Sequence, residues 1–315
     1  MATSRRGKRL SEEHRQQQLQ IRAAFLREFF TLWPLMDPTR VDATGTAWIQ
    51  AVMPLIREYR DLSVEAAEGY YRDFRLAEAP TDALITPVPQ IERAAPRATQ
   101  RRPRQGRPTG DPPPDAPEPQ ARSQGRRGRL RPVRIIWDDA DEAARNSMAT
   151  NGPANIKSKT RRGRTAQQAA RDALADAAGA AGRHVLEGGR QAQLHLVHAD
   201  DAAKGWMRIT DGEPCAFCAM LASRGPVYKS EQSANYVVNP KAKRPLGALY
   251  HDNCGCSAEA VYDRGQEWPA LNREFRELWN RVAKGQKDPL NAFRRELERQ
   301  RRERERSGEA EPETA

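Results

Sequence analysis

Cysteine is scarce in this sequence: its 315 residues contain four. Long apolar runs are missing as well, and none approaches the roughly 20 residues that a membrane helix needs. The segment from Met1 to Arg9 has basic residues with no hydrophobic stretch behind them, unlike a secretory signal. The expectation is a soluble, unsecreted chain with no membrane partner. Apolar residues make up 38% of the chain, aromatics 6%, and mean hydropathy is -0.87, so small cores and long solvated stretches are expected. Acidic residues fall short of basic ones, 42 against 53, leaving a net charge of +11 that favours an anionic partner, either nucleic acid or an acidic protein surface. No G-x-S-x-G elbow, P-loop, HExxH or glycine-rich dinucleotide fingerprint occurs, so no motif specifies an active site.

The few cysteines fall in one window, as Cys215-Ala-Phe-Cys218 and His251-Asp-Asn-Cys254-Gly-Cys256. Clustered thiols in a reducing cytoplasm favour metal over disulfides, and a CxxC followed at a distance by HxxCxC has the ligand types of a structural zinc site. Five candidates, Cys215, Cys218, His251, Cys254 and Cys256, compete for four positions. On a regular strand residues 254 and 256 would stand roughly 6.6 Å apart, whereas two sulfurs on one tetrahedral zinc lie about 3.8 Å apart. Both can bind only if the chain turns tightly at Gly255. Two geometries are open: four thiolates with His251 behind them, or three thiolates plus His251. A bound metal would close a long loop with little core of its own and so supplement a thin hydrophobic core. A thioredoxin-type CxxC would not need the HxxCxC partner, and a catalytic zinc would need an open coordination position beside an acid or base. His184, His195 and His198 are the other histidines of this half; the last two would share a face if that stretch is helical and could then bind metal or act as a base, but they read best as solvated residues.

Composition divides the rest. Residues 1–10 are expected to be disordered and residues 11–79 to form a helical module, with starts at Ser11, about Val41 and Ser63, and a kink or interruption at Pro54. Residues 80–134 hold a Pro/Arg-rich stretch without aromatics, including Arg101-Arg-Pro-Arg-Gln-Gly-Arg107, which reads as a disordered basic linker able to track phosphates without reading sequence. In residues 135–284, Asp138 or Asp139 opens a short helix through Met148. Thr165 to Leu186 is an alanine-rich helix broken by Gly179, Gly182 and Gly188-Gly189. Residues 205–210 and 257–262 are expected to pair as strands. Residues 285–315 read as a charged helical tail with a frayed end. The fold class expected is α+β and predominantly helical: a helical N-terminal module, a disordered linker, and a small zinc-clamped α+β module.

The run Gly205-Trp-Met-Arg-Ile-Thr-Asp-Gly-Glu-Pro-Cys-Ala-Phe-Cys218, followed by His251-Asp-Asn-Cys-Gly-Cys256, resembles the C-terminal region of MuF-like minor head proteins of tailed bacteriophages, particularly those of actinobacteria. The matching positions are Cys215, Cys218, His251, Cys254 and Cys256, and the N-terminal helices with Tyr70-Tyr71-Arg72 are similar to the opening of such proteins. The resemblance implies a minor capsid protein of head morphogenesis. It would associate with portal, capsid and scaffold proteins in the virion interior after assembly in the host cytoplasm, assisting head assembly and DNA packaging or delivery. Non-specific DNA binding through the basic linker fits that setting. The alternatives from another class are a capsid maturation protease, a domain fused to some MuF-like regions but with no recognisable segment here, and a zinc-supported nuclease using His251.

Overall fold

Ser4 opens the first helix, its hydroxyl accepting the Gly7 amide at 2.9 Å. In the computed structural model, which describes residues 2–79, 89–91, 137–210, 214–226, 254–263, 265 and 268–308, α1 runs over Arg5–Leu32, beginning earlier than the Ser11-Glu-Glu signal suggested. A short 3-10 turn, Trp33–Leu35, carries Pro34 and leads to α2, Val41–Glu78. The sequence suggested two helices here, and there is one. Ser63 lies buried within α2, where it donates to Gln18 Oε1 at 2.6 Å and accepts the Gly189 amide at 2.9 Å. A residue type that often caps helices serves instead as an interhelix bridge. Pro54 sits inside the continuous helix, where its lost amide bond is offset by buried Val52, Met53, Leu55 and Ile56 around it. Fully burying such a side chain contributes roughly 1.5–3 kcal/mol.

The chain resumes with α3, Asp138–Ala149, whose first turn holds Asp138, Asp139 and Asp141 at the positive end of the helix dipole. A π turn over Thr150–Ala154 joins it to α4, Asn155–Arg161. Helix α5, Ala166–Ala199, starts at a capping box between Thr165 and Gln168 and does not break at its glycines. They are contact points. A Cβ on Gly188 would lie 2.5 Å from the Arg60 carbonyl oxygen, and one on Gly189 would lie 2.7 Å from Ser63 Oγ, so these two let α5 press against α2. The helix runs past the Leu186 end that the sequence suggested, and Leu194, Leu196 and Val197 are buried in its last turns.

Strand β1, Gly205–Ile209, pairs antiparallel with β2, Ser257–Val261, with Gly205 opposite Val261 and Ile209 opposite Ser257, as the sequence suggested. Between them lies α6, Ala216–Ala222, and after them α7, Ala270–Val282, and α8, Pro289–Ser307. Helix α8 buries Phe293 and Leu297, with the Trp279 ring of α7 meeting Phe293 at 5.2 Å, and most of the end expected to fray lies outside the described residues. The class is α+β and predominantly helical.

Two large apolar clusters form, and each crosses the boundary between residues 11–79 and 137–284. One joins Phe25, Phe29, Trp48 and Ile56 to Met148, Ile156 and the small face of α5. The other joins Tyr70, Tyr71 and Phe74 to Leu194, Trp206, Leu221, Phe275 and Phe293. Beside the second cluster Arg75 and Asp200 make a 2.6 Å ion pair with no solvent exposure, and Tyr71 donates to the same carboxylate oxygen at 2.6 Å. Most of the expected linker, 80–88 and 92–134, lies outside the described residues, as do Met1 and residues 309–315.

Candidate metal centre

The first cysteine pair owes its placement to α6. Pro214 leads in, Cys215 is the N-cap with its sulfur accepting the Cys218 amide at 3.5 Å, and one turn of helix carries the second sulfur back beside the first. The second pair lies just before β2, where the 254–256 segment has left the strand. The Cys218, Cys254 and Cys256 sulfurs all lie within 4.8 Å of one another, so the tight turn required by the CGC spacing is present. Cys218 Sγ and Cys254 Sγ are 3.7 Å apart. All three residues are buried, none is in a disulfide, and Cys215 packs half-buried against them. These three thiols can hold a metal ion. His251, the fifth candidate, lies outside the described residues.

Electrostatics around the sulfurs favours a thiolate at Cys215 and Cys218 and opposes one at Cys256. Arg208, fully buried in β1, donates from Nη2 to Cys218 Sγ at 3.2 Å, and Arg190 of α5 donates to the Cys254 carbonyl. Two buried guanidiniums beside a cluster of sulfurs are costly to desolvate unless negative charge lies close by, and deprotonated thiols supply it. The Cys218 hydrogen bond, with the amides of Cys218 and Phe217, brings the Cys215 thiol from its ordinary range down to about 6 against the opposing effect of burial. Cys218 is pushed up by its Cys215 contact but brought down to about 6 by Cys254, Cys256 and the Arg208 charge. Contacts from Cys218 and Cys254, together with burial, push Cys256 well up. Once one sulfur is ionised, its neighbours resist following without a cation between them.

The wider frame fixes the knuckle. Asn272 of α7 donates at once to the Arg208 carbonyl at 2.9 Å and the Ala222 carbonyl at 3.1 Å, tying strand, α6 and α7 together. Arg301 of α8 donates to the Pro214 carbonyl, clamping the entry to Cys215. On the other side Glu259 of β2 accepts from Tyr70 of α2 at 3.2 Å, and a cavity of about 40 Å³ lies between Cys256, Glu259, His14 and Gln193. Sequence reasoning found the sulfurs and missed Arg190, Arg208 and Asn272. An arginine in a basic chain carries no local signal that it is buried. The other histidines stay apart from the sulfurs: His184 is buried against Glu187 at 3.3 Å, and His195 and His198 lie at the end of α5.

The chain matches the VG15 protein family over residues 6–106 and 137–284. It is 29% identical over 156 residues to the Gene 15 protein of Mycobacterium phage D29, covering 37% of this chain and 56% of that protein. The chain thus spans little more than half the length of this curated relative. No solved structure matches it significantly. Among the described residues no helix is long and apolar enough to cross a membrane. With the matched segments covering most of the chain and including both cysteine pairs, the protein belongs to the VG15 family of bacteriophage proteins.

Proposed function

We propose that this protein is a structural minor head component of a tailed phage, of the MuF-like type. In this reading it sits at the portal and capsid interior of the virion and assists head morphogenesis and DNA packaging or delivery. The observation that carries the reading is the buried thiol cluster at the meeting point of β1, β2, α6 and α7, in a chain of a phage protein family. The ion it suits is zinc. Tetrahedral zinc thiolates stand about 3.8 Å apart, and Cys218 and Cys254 are 3.7 Å apart before any ion is considered. Cys215 is the fourth ligand in this reading, because the residue packs against the cluster and its sulfur accepts the Cys218 amide; the sulfur itself lies outside the 4.8 Å set and would have to close in on a bound ion. A closed set of thiolates, neutralised by buried arginines, suits a structural site; a hydrolytic one keeps a position open for water. When bound, zinc would crosslink the start of α6 to the start of β2. The chain's own residues do the rest: Arg208 holds the Cys218 sulfur, and Asn272 and Arg301 hold the elements that carry the ligands. The basic Pro/Arg-rich segment 80–134 would contact DNA without sequence preference.

Two measurements test this. Purified protein should carry about one zinc per chain, Cys215→Ser should lose it, and His251→Ala should keep it. Retention by the serine variant with loss from the alanine variant would exchange the two ligands. Co-expressed with its phage's portal protein, the chain should co-purify with the portal ring, and an empty ring would remove the head-protein reading.

A further inference from the structure

The turn between α4 and α5 exposes a concentration of positive charge that neither the fold nor the thiol cluster requires. Between residues 157 and 176 stand Lys157, Lys159, Arg161, Arg162, Arg164 and Arg171, against two carboxylates in the same span, Asp172 and Asp176. Asp42 of α2 reaches in to pair with Lys157; Lys159 pairs with Asp176 at 2.8 Å, and Arg164 with Asp172 at 3.8 Å. Among the described residues no carboxylate lies within ion-pair distance of Arg161, Arg162 or Arg171. Three cations therefore remain in excess on one exposed corner.

Local structure explains part of this charge and leaves the rest. Lys159 and Arg161, in the last turn of α4, complement the negative end of that helix. Arg162 and Arg164 lie beyond it, on either side of Gly163, whose φ of 91° makes the turn and leaves open space around it. Residues 161–165 are all exposed, and none of them is hydrophobic. An acidic protein partner would need a buried apolar or aromatic anchor to be held well, and this corner offers none. A phosphate backbone needs only guanidinium donors that can reach it, which arginine meets with paired hydrogen bonds.

We propose that the α4–α5 turn is a contact for the phosphate backbone of double-stranded DNA, centred on Arg161 and Arg162. It is separate from the basic segment 80–134 and independent of the head-protein reading. Binding here is sequence-independent, since no side chain of the turn is held in place to read a base edge.

The test uses the full chain and a fluorescent duplex of about 25 base pairs, with anisotropy read from 50 to 200 mM salt. The variant R161Q/R162Q should bind several-fold more weakly at the low-salt end, and its salt slope should be shallower by about 2, the loss expected for two phosphate contacts. Its thermal melting should match the parent's, because the replaced side chains are exposed. A companion variant, R101Q/R102Q/R104Q, should keep the turn's share of the slope. Unchanged affinity and slope in the turn variant, or no duplex binding by the parent at 50 mM salt, would overturn the proposal. Portal co-purification of the turn variant reads the head-protein proposal separately, because this corner is not required for it.

Discussion

At the residue scale the informative contrast is between two kinds of arginine. Arg208 and Arg162 have the same side chain, yet one is fully buried against a sulfur and the other stands in water. Desolvation makes the difference: a buried guanidinium persists only where hydrogen bonds and negative charge meet it, so Arg208 reports on the ionisation of Cys218. Cys215, half in solvent, is the sulfur best placed to show this state. Its thiol is held down at about 6, so the thiolate is the main form at neutral pH and is protonated as pH falls below that value. The folded value lies below the ordinary one, so the stabilisation is fully present above the ordinary range and is lost as pH falls through about 6. In metal-stripped protein, alkylation of Cys215 by iodoacetamide should therefore rise with pH and level off with a midpoint near 6; a midpoint at an ordinary thiol value would contradict the hydrogen bonding described. Metal release should run the opposite way, increasing as pH falls, because protons compete for the ligands.

At the element scale, α5 shows how tertiary contact reverses a propensity argument. Alanine exceeds glycine in helix propensity by roughly 1 kcal/mol, so Gly188→Ala would stabilise an isolated helix. Here the added carbon would meet the Arg60 carbonyl oxygen at 2.5 Å, and backbone cannot step aside as a flexible side chain can. Overpacking of this kind costs about 1–3 kcal/mol. Gly188→Ala should lower the urea midpoint of unfolding, with little change in slope, while an alanine at half-buried Gly69, where the added carbon would meet nothing within 4 Å, should not. The glycines were legible as departures from the alanine-rich pattern, but as breaks. What they do depends on a partner helix more than 120 residues away in sequence, as the Gly189 amide to Ser63 bond demonstrates.

At the scale of the whole molecule, the apolar clusters tie the first helices to everything after residue 137. Tyr70, Tyr71 and Phe74 complete the core beneath the thiol cluster, and Phe25, Phe29 and Trp48 cover the small face of α5. Removing α1 and α2 would expose Ala177, Ala181, Val185, Leu194 and Leu196 together with the buried Asp200 carboxylate. At roughly 1.5–3 kcal/mol for each large side chain, that loss rivals the 5–15 kcal/mol by which a domain is usually stable. A fragment of residues 137–308 should therefore show no cooperative thermal transition by circular dichroism, and co-expression with residues 1–91 should restore one. A sharp transition in the lone fragment would favour the self-contained C-terminal module that composition suggested.

Much was legible because it depends on short-range pattern. The cysteine window named the candidate site, since ligand chemistry needs those residue types at that spacing. The two strands were legible from bulky residues on either side of the cysteine pairs, and Asp138 and Thr165 marked real helix starts through their acidity or caps. The merger of two expected helices into α2 was not legible, because Ser63 caps helices about as readily as it bridges them.

By itself the sequence determined the helical class, the metal-ligand chemistry and the excess of positive charge, all consequences of composition and local spacing. Tertiary structure alone decided that Cys254 and Cys256 turn together toward Cys218, that Arg190 and Arg208 stand behind them, and that the first two helices share their cores with the rest. The physical reason is common to all three. Burial and close approach arise between residues distant in the chain, and the same arginine, glycine or serine is stabilising or costly according to what the fold brings within a few ångströms of it.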